Sequence, residues 1–389
     1  MGSNPTPSAI QAGAQLTSAR TRVYDPAVVD TRWCFARLRF RRARHTKESA
    51  RQMICAEKIS RIVTSISFGI TLVLPLVALC SPPGARGQNL NAAPPSCARD
   101  CLVEFMNKYL AALVAREPSR VPWADKVEFT ENNAQLMIGD GSWAVATGKL
   151  DNDLIVADPM TGQVGYFGTV ELNGLPTWYA ARLKVVDDKV TELETIWRPR
   201  PVTLNPTAPG GGDPKDLKHD HAMYENLTPA ERVPRRKMID VANGYFATLQ
   251  LNDGTLYTEF DPTCSRIDNG TKTASNPDSP RPEFRLNCGD QFKTGMYRAN
   301  NALRERDFFL VDEEKGIVMA RAFLDHNAVV QTFNLRDGTE TRSGFRTPNS
   351  FVMLEMFKVR TGKLYRAEVV HADTNYHASS PWTPPSRRE

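Results

Sequence analysis

Two stretches of the chain carry apolar residues at helical spacing, and each is followed by segments in which apolar and polar residues alternate. The first stripe is formed by Leu102, Phe105, Tyr109 and Leu113. The second stripe is formed by Met238, Val241, Tyr245, Phe246 and Leu249. This spacing predicts two amphipathic helices, and the alternation after each of them predicts long strands with one buried face.

The signals that follow each helix recur in the same order, which indicates an internal repeat. Both copies contain a Gly-Asp pair and end in a hairpin, and the hairpins over 183–194 and 357–368 align without a gap. In this alignment Glu194 matches Glu368. We therefore predict two diverged copies of one α+β domain, each a curved antiparallel sheet wrapped around N-terminal helices.

A segment rich in proline and glycine separates the two copies. This segment is residues 198–230. Its first part is rich in proline and glycine and contains few apolar residues, which predicts a flexible linker. The first domain is accordingly assigned to 88–197 and the second to 231–382. Residues 383–389 form a short tail.

One long apolar run, residues 62–80, follows a basic flank and precedes small residues. This order predicts a signal peptide over 53–87 that is cleaved before Gln88, and Pro75 inside the run favours cleavage. A signal anchor is the alternative, because the run is nearly long enough to span a bilayer. In both cases the positive flank stays inside, so the rest of the chain is expected outside the membrane; with cleavage it is secreted, or periplasmic in a bacterium. After cleavage we expect no membrane contact.

Residues 1–52 are rich in arginine and have no apolar periodicity. Met53 stands where a signal peptide would begin, so we predict that translation starts there and that 1–52 is an over-extended start. The alternative is a disordered basic extension of a signal anchor.

The formal net charge of +5 is unevenly distributed along the chain. Residues 88–389 contain 36 Lys and Arg against 40 Asp and Glu, a net charge of −4. Binding to a nucleic-acid backbone needs clustered positive charge, so this acidic part argues against nucleic acid as a partner.

Four of the seven cysteines follow residue 87, namely Cys97, Cys101, Cys264 and Cys288. An even number of cysteines in an oxidising compartment predicts two disulfides, and the local pairs Cys97–Cys101 and Cys264–Cys288 are favoured. A four-ligand zinc site is the alternative, but the spacing lacks the paired Cys-x-x-Cys knuckles of such sites.

The order of these signals resembles that of a known fold. A segment reading Val-x-Phe-Thr-Glu-Asn at 127–132 precedes Gly-Asp-Gly-x-Trp at 139–143 and strands that end in Thr-Glu-Leu-Glu. Together they resemble the nuclear transport factor 2-like (SnoaL-like) cone fold. More narrowly, residues 97–382 are similar to an uncharacterised group of secreted fungal and bacterial proteins. That group shares the Cys-x-x-x-Cys helix, a Val-Asp-Glu-Glu-x-Gly piece (here 311–316) and an Asp-His pair (here 325–326).

The resemblance implies two tandem cone-shaped domains, each with a mostly apolar pocket between the sheet and its helices, and it implies no agreed activity. Single-domain relatives of this fold commonly pair as homodimers, and a tandem chain can make that pairing internally. We therefore expect the two cones to pack sheet to sheet as an intrachain pseudo-dimer that is a monomer in solution.

The candidate chemistry lies in the second copy. His326 and His371 stand at strand ends, and neighbouring strands could bring both rings to one mouth of the cone. We predict a catalytic histidine pair with Asp325 orienting one ring; the alternative is two hydrogen-bonded, partly exposed histidines. Trp197 replaces His371 in the first copy, which is therefore expected to be structural. The predicted pocket is further lined by Tyr297, Arg321, Glu355 and Tyr376.

Two functional hypotheses follow from this resemblance. Enzymes of this fold use a carboxylate or a histidine as general base, and an apolar wall raises a carboxyl pKa toward the working pH. The first hypothesis is a lyase, isomerase or hydratase without cofactor or metal, acting in the second domain on a small apolar or carbonyl-bearing molecule. The second is a non-catalytic secreted ligand-binding or structural module. The sequence lacks a nucleophile elbow, a phosphate-binding loop, a dinucleotide fingerprint and a His-Glu-x-x-His motif.

Overall fold

The computed structural model describes residues 97–205 and 208–383. The predictions for 1–52 and 53–87, and almost all of the predicted tail, lie outside these residues. The helices of the described part are α1 (Arg99–Ala115), α2 (Ser142–Val145), α3 (Arg235–Leu251), α4 (Pro282–Arg285) and α5 (Cys288–Lys293).

The first half forms a mixed seven-stranded sheet. Its strands are β1 (Trp123–Glu131), β2 (Ala134–Gln135), β3 (Ala146–Lys149), β4 (Leu154–Asp158), β5 (Gln163–Leu172), β6 (Leu175–Val186) and β7 (Lys189–Pro199). Their order is β2-β1-β7-β6-β5-β3, with β4 also paired to β5. β1 runs parallel to β7, whereas the other pairs are antiparallel. The prediction of a purely antiparallel sheet is therefore wrong, because side-chain alternation is the same in both strand directions.

The second half forms a mixed six-stranded sheet and a separate hairpin. Its strands are β8 (Phe260–Asp268), β9 (Thr271–Ala274), β10 (Ala302–Asp312), β11 (Ile317–His326), β12 (Thr332–Asn334), β13 (Glu340–Arg342), β14 (Asn349–Arg360) and β15 (Lys363–Thr374). The sheet has the order β10-β11-β14-β15-β8-β9, and β12 pairs with β13. As in the first half, the strand that follows the long helix runs parallel to the last strand, here β8 to β15.

An asparagine fixes this parallel pairing in each half. The Asn132 side chain donates to the carbonyl of Trp197 at 3.1 Å and accepts from its N–H at 2.9 Å. Asn269 makes the same two bonds to His371, at 3.1 and 3.0 Å. Both asparagines have positive φ, a conformation that Asn adopts more readily than most residues. Trp197 and His371 thus occupy corresponding places in the two sheets.

The two long helices bury the apolar stripes seen in the sequence. The stripe of α1 packs against the inner face of the first sheet, and the stripe of α3 against that of the second. α1 ends at Ala115; the next residue, Arg116, adopts the left-handed conformation, and Pro118 follows shortly after. Both features terminate helices. Within the described residues, none of the helices has the length and apolar character needed to cross a bilayer.

The outer faces of the two sheets share a third apolar core. Its largest members are Phe167 and Trp178 from the first sheet and Met319 and Phe323 from the second, all fully buried. A Cβ atom at Gly165 would lie 2.3 Å from the Met319 sulfur, so a larger residue there would displace the Met319 side chain from between the sheets. Burial of each such large side chain contributes about 1.5–3 kcal/mol.

Two reciprocal ion pairs link the halves. Arg99, the first residue of α1, pairs with Asp312 at the end of β10, and Arg235, the first residue of α3, pairs with Asp158 at the end of β4. The aspartates also accept backbone N–H groups from the opposite half, 2.9 to 3.1 Å away, those of Ala157 and Val311. In each pair, the arginine that begins the long helix of one half contacts an aspartate at a strand end of the other half. Such reciprocal contacts are typical of a two-fold symmetric interface.

The segment between the halves differs from the predicted flexible linker. In its described part, Asp213 pairs with Arg200 at 2.8 Å, and the carbonyl of Pro214 accepts from Thr169 at 2.8 Å. Met223 is fully buried in the core between the sheets. The proline-rich composition at the start of the segment conceals the apolar residues nearer its end, which anchor it.

The predicted disulfides are confirmed. Cys97 bonds to Cys101 at the start of α1, and Cys264 on β8 bonds to Cys288 at the start of α5. Both pairs have Cα atoms 5.4 Å apart, within the usual range. All four sulfurs are thereby consumed, which removes the zinc alternative.

Candidate functional site

A cavity of about 420 Å³ lies inside the second sheet, between its concave face and α3. Alternation along β14 directs Phe351, Met353 and Glu355 into this cavity, and alternation along β15 directs Val369 and His371 into it. The size is within the range of ligand sites, 300–1,000 Å³ in general. Of the residues named from the sequence, His326, His371, Tyr297 and Glu355 line the cavity.

The two histidines lie on either side of one phenylalanine. The ring of Phe351 is 4.9 Å from His326 and 4.3 Å from His371, centroid to centroid. Phe345 stacks on the other side of His326 at 3.4 Å. Burial lowers the pKa of His326 to about 4, and burial together with the positive charge of Arg198 lowers the pKa of His371 to about 3. Both imidazoles are therefore neutral at neutral pH.

Buried ring nitrogens point to an unfilled hydrogen-bonding capacity. Both nitrogens of His326 and Nδ1 of His371 are buried without a well-formed hydrogen bond to the described part of the chain. The Asn349 amide lies close enough to His326 to favour its charged form, but not enough to offset burial. A neutral imidazole offers one donor and one acceptor, so this pair can bind polar groups of either kind.

Glu355 is a third neutral polar group of the cavity, after the two histidines. Burial raises the pKa of its carboxyl to about 8, an effect that Asp268 strengthens and that Arg266 and the Tyr245 hydroxyl oppose. The carboxyl is therefore protonated at pH 7. In that state it donates a hydrogen bond, which an ionised carboxylate cannot do.

Arg266 forms a closed charge pair at the cavity wall. Its Nη2 lies 3.2 Å from the Asp268 carboxylate, and Nη1 donates to the Tyr297 hydroxyl at 2.7 Å and to Gln291 at 3.0 Å. The Tyr297 hydroxyl in turn donates to Gln291 at 3.0 Å. These partners hold the guanidinium in place and satisfy most of its donors.

The rim of the cavity comes from distant parts of the chain. Ala208 and Pro209 of the segment between the halves, and Gly344 and Phe345 of the insertion between β11 and β14, form part of it. Arg198 on β7, a strand of the first half, completes this rim. The site therefore contains a side chain from each half.

Asp325 does not orient His326 or His371, which corrects the predicted dyad; the histidine beside its carboxylate is the half-exposed His377, whose Nε2 lies 3.3 Å away. Asp325 follows the alternation of β11 to the face opposite His326, where its carboxylate accepts from Arg304 at 2.7 Å and from Ser350 at 2.5 Å. Residues adjacent on a strand point to opposite faces, so Asp325 and His326 could not share a pocket.

Arg321 and Tyr376 also lie elsewhere than predicted. Arg321 is buried between the sheets, where it contacts Glu194 at 3.4 Å and Asp307 at 3.1 Å. Tyr376 is partly exposed and accepts from Asn301 at 3.3 Å. Arg321 lies four residues before Asp325 on β11, so alternation directs both side chains to the outer face of the second sheet.

The sequence interpretation missed Arg266, Asp268, Phe345 and Arg198. The sequence did contain a signal for Arg266 and Asp268, which lie two and four residues after Cys264 on the same strand. That cysteine bonds inward to α5, so alternation places Arg266 and Asp268 on the same inner face. Phe345 and Arg198 had no local signal, since each reaches the cavity through long-range packing.

The corresponding interior of the first half is filled by large side chains. Trp143 is fully buried there, and the hydroxyl of Tyr179 lies 2.7 Å from that of Tyr109 and 3.2 Å from that of Ser142. These hydroxyls satisfy one another. The first half therefore holds an internal hydrogen-bonded cluster where the second half holds the cavity.

Comparison with known proteins finds a similarity over part of the chain and no activity. Residues 231–371 match the family described as "Domain of unknown function (DUF8021)". A solved structure, an NTF2-like protein of unknown function from Cytophaga hutchinsonii, is 8% identical, with a TM-score of 0.21; the match covers 25% of this chain and 89% of that one. No curated protein matches the chain. The family match contains Arg266, His326, Glu355 and His371.

Proposed function

We propose that the second half of this chain binds a small, mostly apolar molecule in its cavity. The observation that carries this proposal is the set of neutral polar groups, His326, His371 and Glu355, facing a cavity of about 420 Å³ with apolar walls. Ligand sites combine such walls with a few polar groups that orient the bound molecule. A ketone or other carbonyl compound would accept from Glu355.

The first half supports this site as the sister cone of a tandem, NTF2-like protein. The reciprocal pairs Arg99–Asp312 and Arg235–Asp158 support an intrachain pseudo-dimer, because they mimic the interface of two identical subunits. With its outer sheet face covered in this way, the protein is expected to be a monomer. The two disulfides favour an oxidising compartment and so support secretion.

A cofactor-free lyase, isomerase or hydratase is the second candidate, and Glu355 favours it. A carboxyl with a pKa of about 8 can protonate a carbonyl oxygen or a leaving group near neutral pH. His371, whose pKa is about 3, is too weak a base for this reaction and would orient the substrate through a hydrogen bond in its neutral form, while Asp325 has no role. Perturbed carboxyls in cavities often mark catalytic sites, whereas a binding module needs no such group.

The binding proposal is tested with a neutral probe, 4-phenylbutan-2-one, by isothermal titration calorimetry. Val369→Trp would place an indole in the cavity and should abolish binding. Val329→Trp, the same change at a residue that is 76% exposed, is the matched control and should leave binding intact. Binding that survives Val369→Trp, or its absence from the unaltered protein, would refute the proposal.

A further inference from the structure

We infer that the molecule held in the cavity is an apolar carboxylic acid whose carboxylate lies against Arg198, an arginine that the first half of the chain supplies to the rim. The inference rests on the proposed function and names the class of ligand. It also gives the first half a direct part in recognition.

The charges around the cavity leave one positive charge unbalanced. The cavity is lined by two basic side chains, Arg198 and Arg266, and by two acidic ones, Asp268 and Glu355. Asp268 is paired with Arg266, and Glu355 is protonated at pH 7. The charge of Arg198, whose side chain is 29% exposed at the rim, therefore has no ionised partner among the lining residues and attracts an anion there.

Arg198 has donors available for a carboxylate besides its contact with Asp373. In the described part of the chain its guanidinium has one recorded hydrogen bond, from Nη1 to Asp373 at 3.1 Å. The Asp373 side chain is 59% exposed and belongs to the adjoining surface groove, so this ion pair is weak. The planar fork of an arginine can bind both oxygens of a carboxylate at once.

The position of Arg198 fixes the orientation of such a ligand. Arg198 and His371 both line the cavity, and the charge of Arg198 helps to lower the pKa of His371. The interior walls include Leu249, Leu324, Met353 and Val369, which suit an apolar body. A carboxylate placed deeper would have to compete with Asp268 for Arg266, so the acid group belongs at the rim.

The test compares 4-phenylbutanoate with 4-phenylbutanamide, which has the same body and no charge, by isothermal titration calorimetry at pH 7. The unaltered protein should bind the acid about tenfold more tightly than the amide, the gain expected from one charged hydrogen-bonded pair. Arg198→Gln should remove this preference and leave the Kd of the amide unchanged, which also shows that the variant is folded.

Arg200→Gln is the matched control. Arg200 pairs with Asp213 and lines only the adjoining groove, so its loss should leave the preference intact. Asp373→Asn removes the competing carboxylate and should tighten binding of the acid alone. Equal affinities of acid and amide, or a preference that survives Arg198→Gln, would overturn the inference and leave the proposed function standing. If neither compound binds, both are overturned.

Discussion

Replacing Glu355 by glutamine should stabilise the protein, and the gain should grow with pH. Glutamine keeps the size and the hydrogen-bonding groups of the protonated acid but cannot ionise. The carboxyl is 2% exposed, and its pKa is raised from the ordinary 4.5 to about 8. The Tyr245 hydroxyl on α3 and the Arg266–Asp268 pair on β8 surround this side chain in the variant as they do in the unaltered protein. The two proteins therefore differ at this site only in the proton that the carboxyl can lose.

The sign and size of the effect follow from proton linkage. Below pH 4.5 the carboxyl is protonated in both the folded and the unfolded chain, so pH has no influence through this group. Between 4.5 and about 8 only the unfolded chain ionises, and the stability of the unaltered protein falls by about 1.4 kcal/mol per pH unit. The gap of 3.5 units between these values corresponds to about 5 kcal/mol.

Urea denaturation at pH 5, 7 and 9 measures this difference. We expect the free energy of unfolding of Glu355→Gln to exceed that of the unaltered protein by less than about 1 kcal/mol at pH 5, by about 3 kcal/mol at pH 7 and by about 5 kcal/mol at pH 9. Glu313→Gln, the same change at an exposed position, controls for the removal of one charge from the chain. A difference for Glu355→Gln that stays constant from pH 5 to pH 9 would refute the dry environment assigned to this carboxyl.

Two further predictions concern the halves and the surface. Asp158→Asn should lower the free energy of unfolding by about 3 kcal/mol, since it leaves Arg235 without its buried partner. Asp312→Asn should cost less, because Glu314 remains 2.8 Å from Arg99. A loss for Asp158→Asn no larger than that of the exposed Asp278→Asn would contradict this. The chain contains the glycosylation sequons Asn226-Leu-Thr and Asn269-Gly-Thr. When a eukaryotic host secretes the protein, intact mass spectrometry should find a glycan at Asn226, which is exposed. A glycan at the other sequon would count against the fold, because Asn269 is fully buried and its amide is hydrogen-bonded.

The features that could be predicted from the sequence are those with a local period. The stripes of α1 and α3 are buried as expected, because helical spacing alone determines which side chains share a face. The direction of β1 and β8 carries no such signal, so the parallel pairs within the two sheets were not predicted.

The candidate site shows the same limit more sharply. His326 and His371 share a cavity, as expected. The alternation of side chains along β11 places Asp325 on the opposite face of the sheet from its neighbour His326, so the predicted pairing of these two residues conflicts with the strand's own periodicity. Arg198 lies 128 residues before His326, in the other half of the chain, and only the packing of the two sheets brings it to the rim. Such contacts depend on the tertiary arrangement, which single-sequence periodicity does not contain.

The most direct test of the cavity as a ligand site is a crystal structure of the protein with 4-phenylbutanoate. The account predicts density for the phenyl group beside Phe351 and Met353, with the carboxylate within hydrogen-bond distance of Arg198. Density for the compound only at the surface, or a cavity closed by the rings of Phe345 and Phe351 with nothing bound, would contradict it.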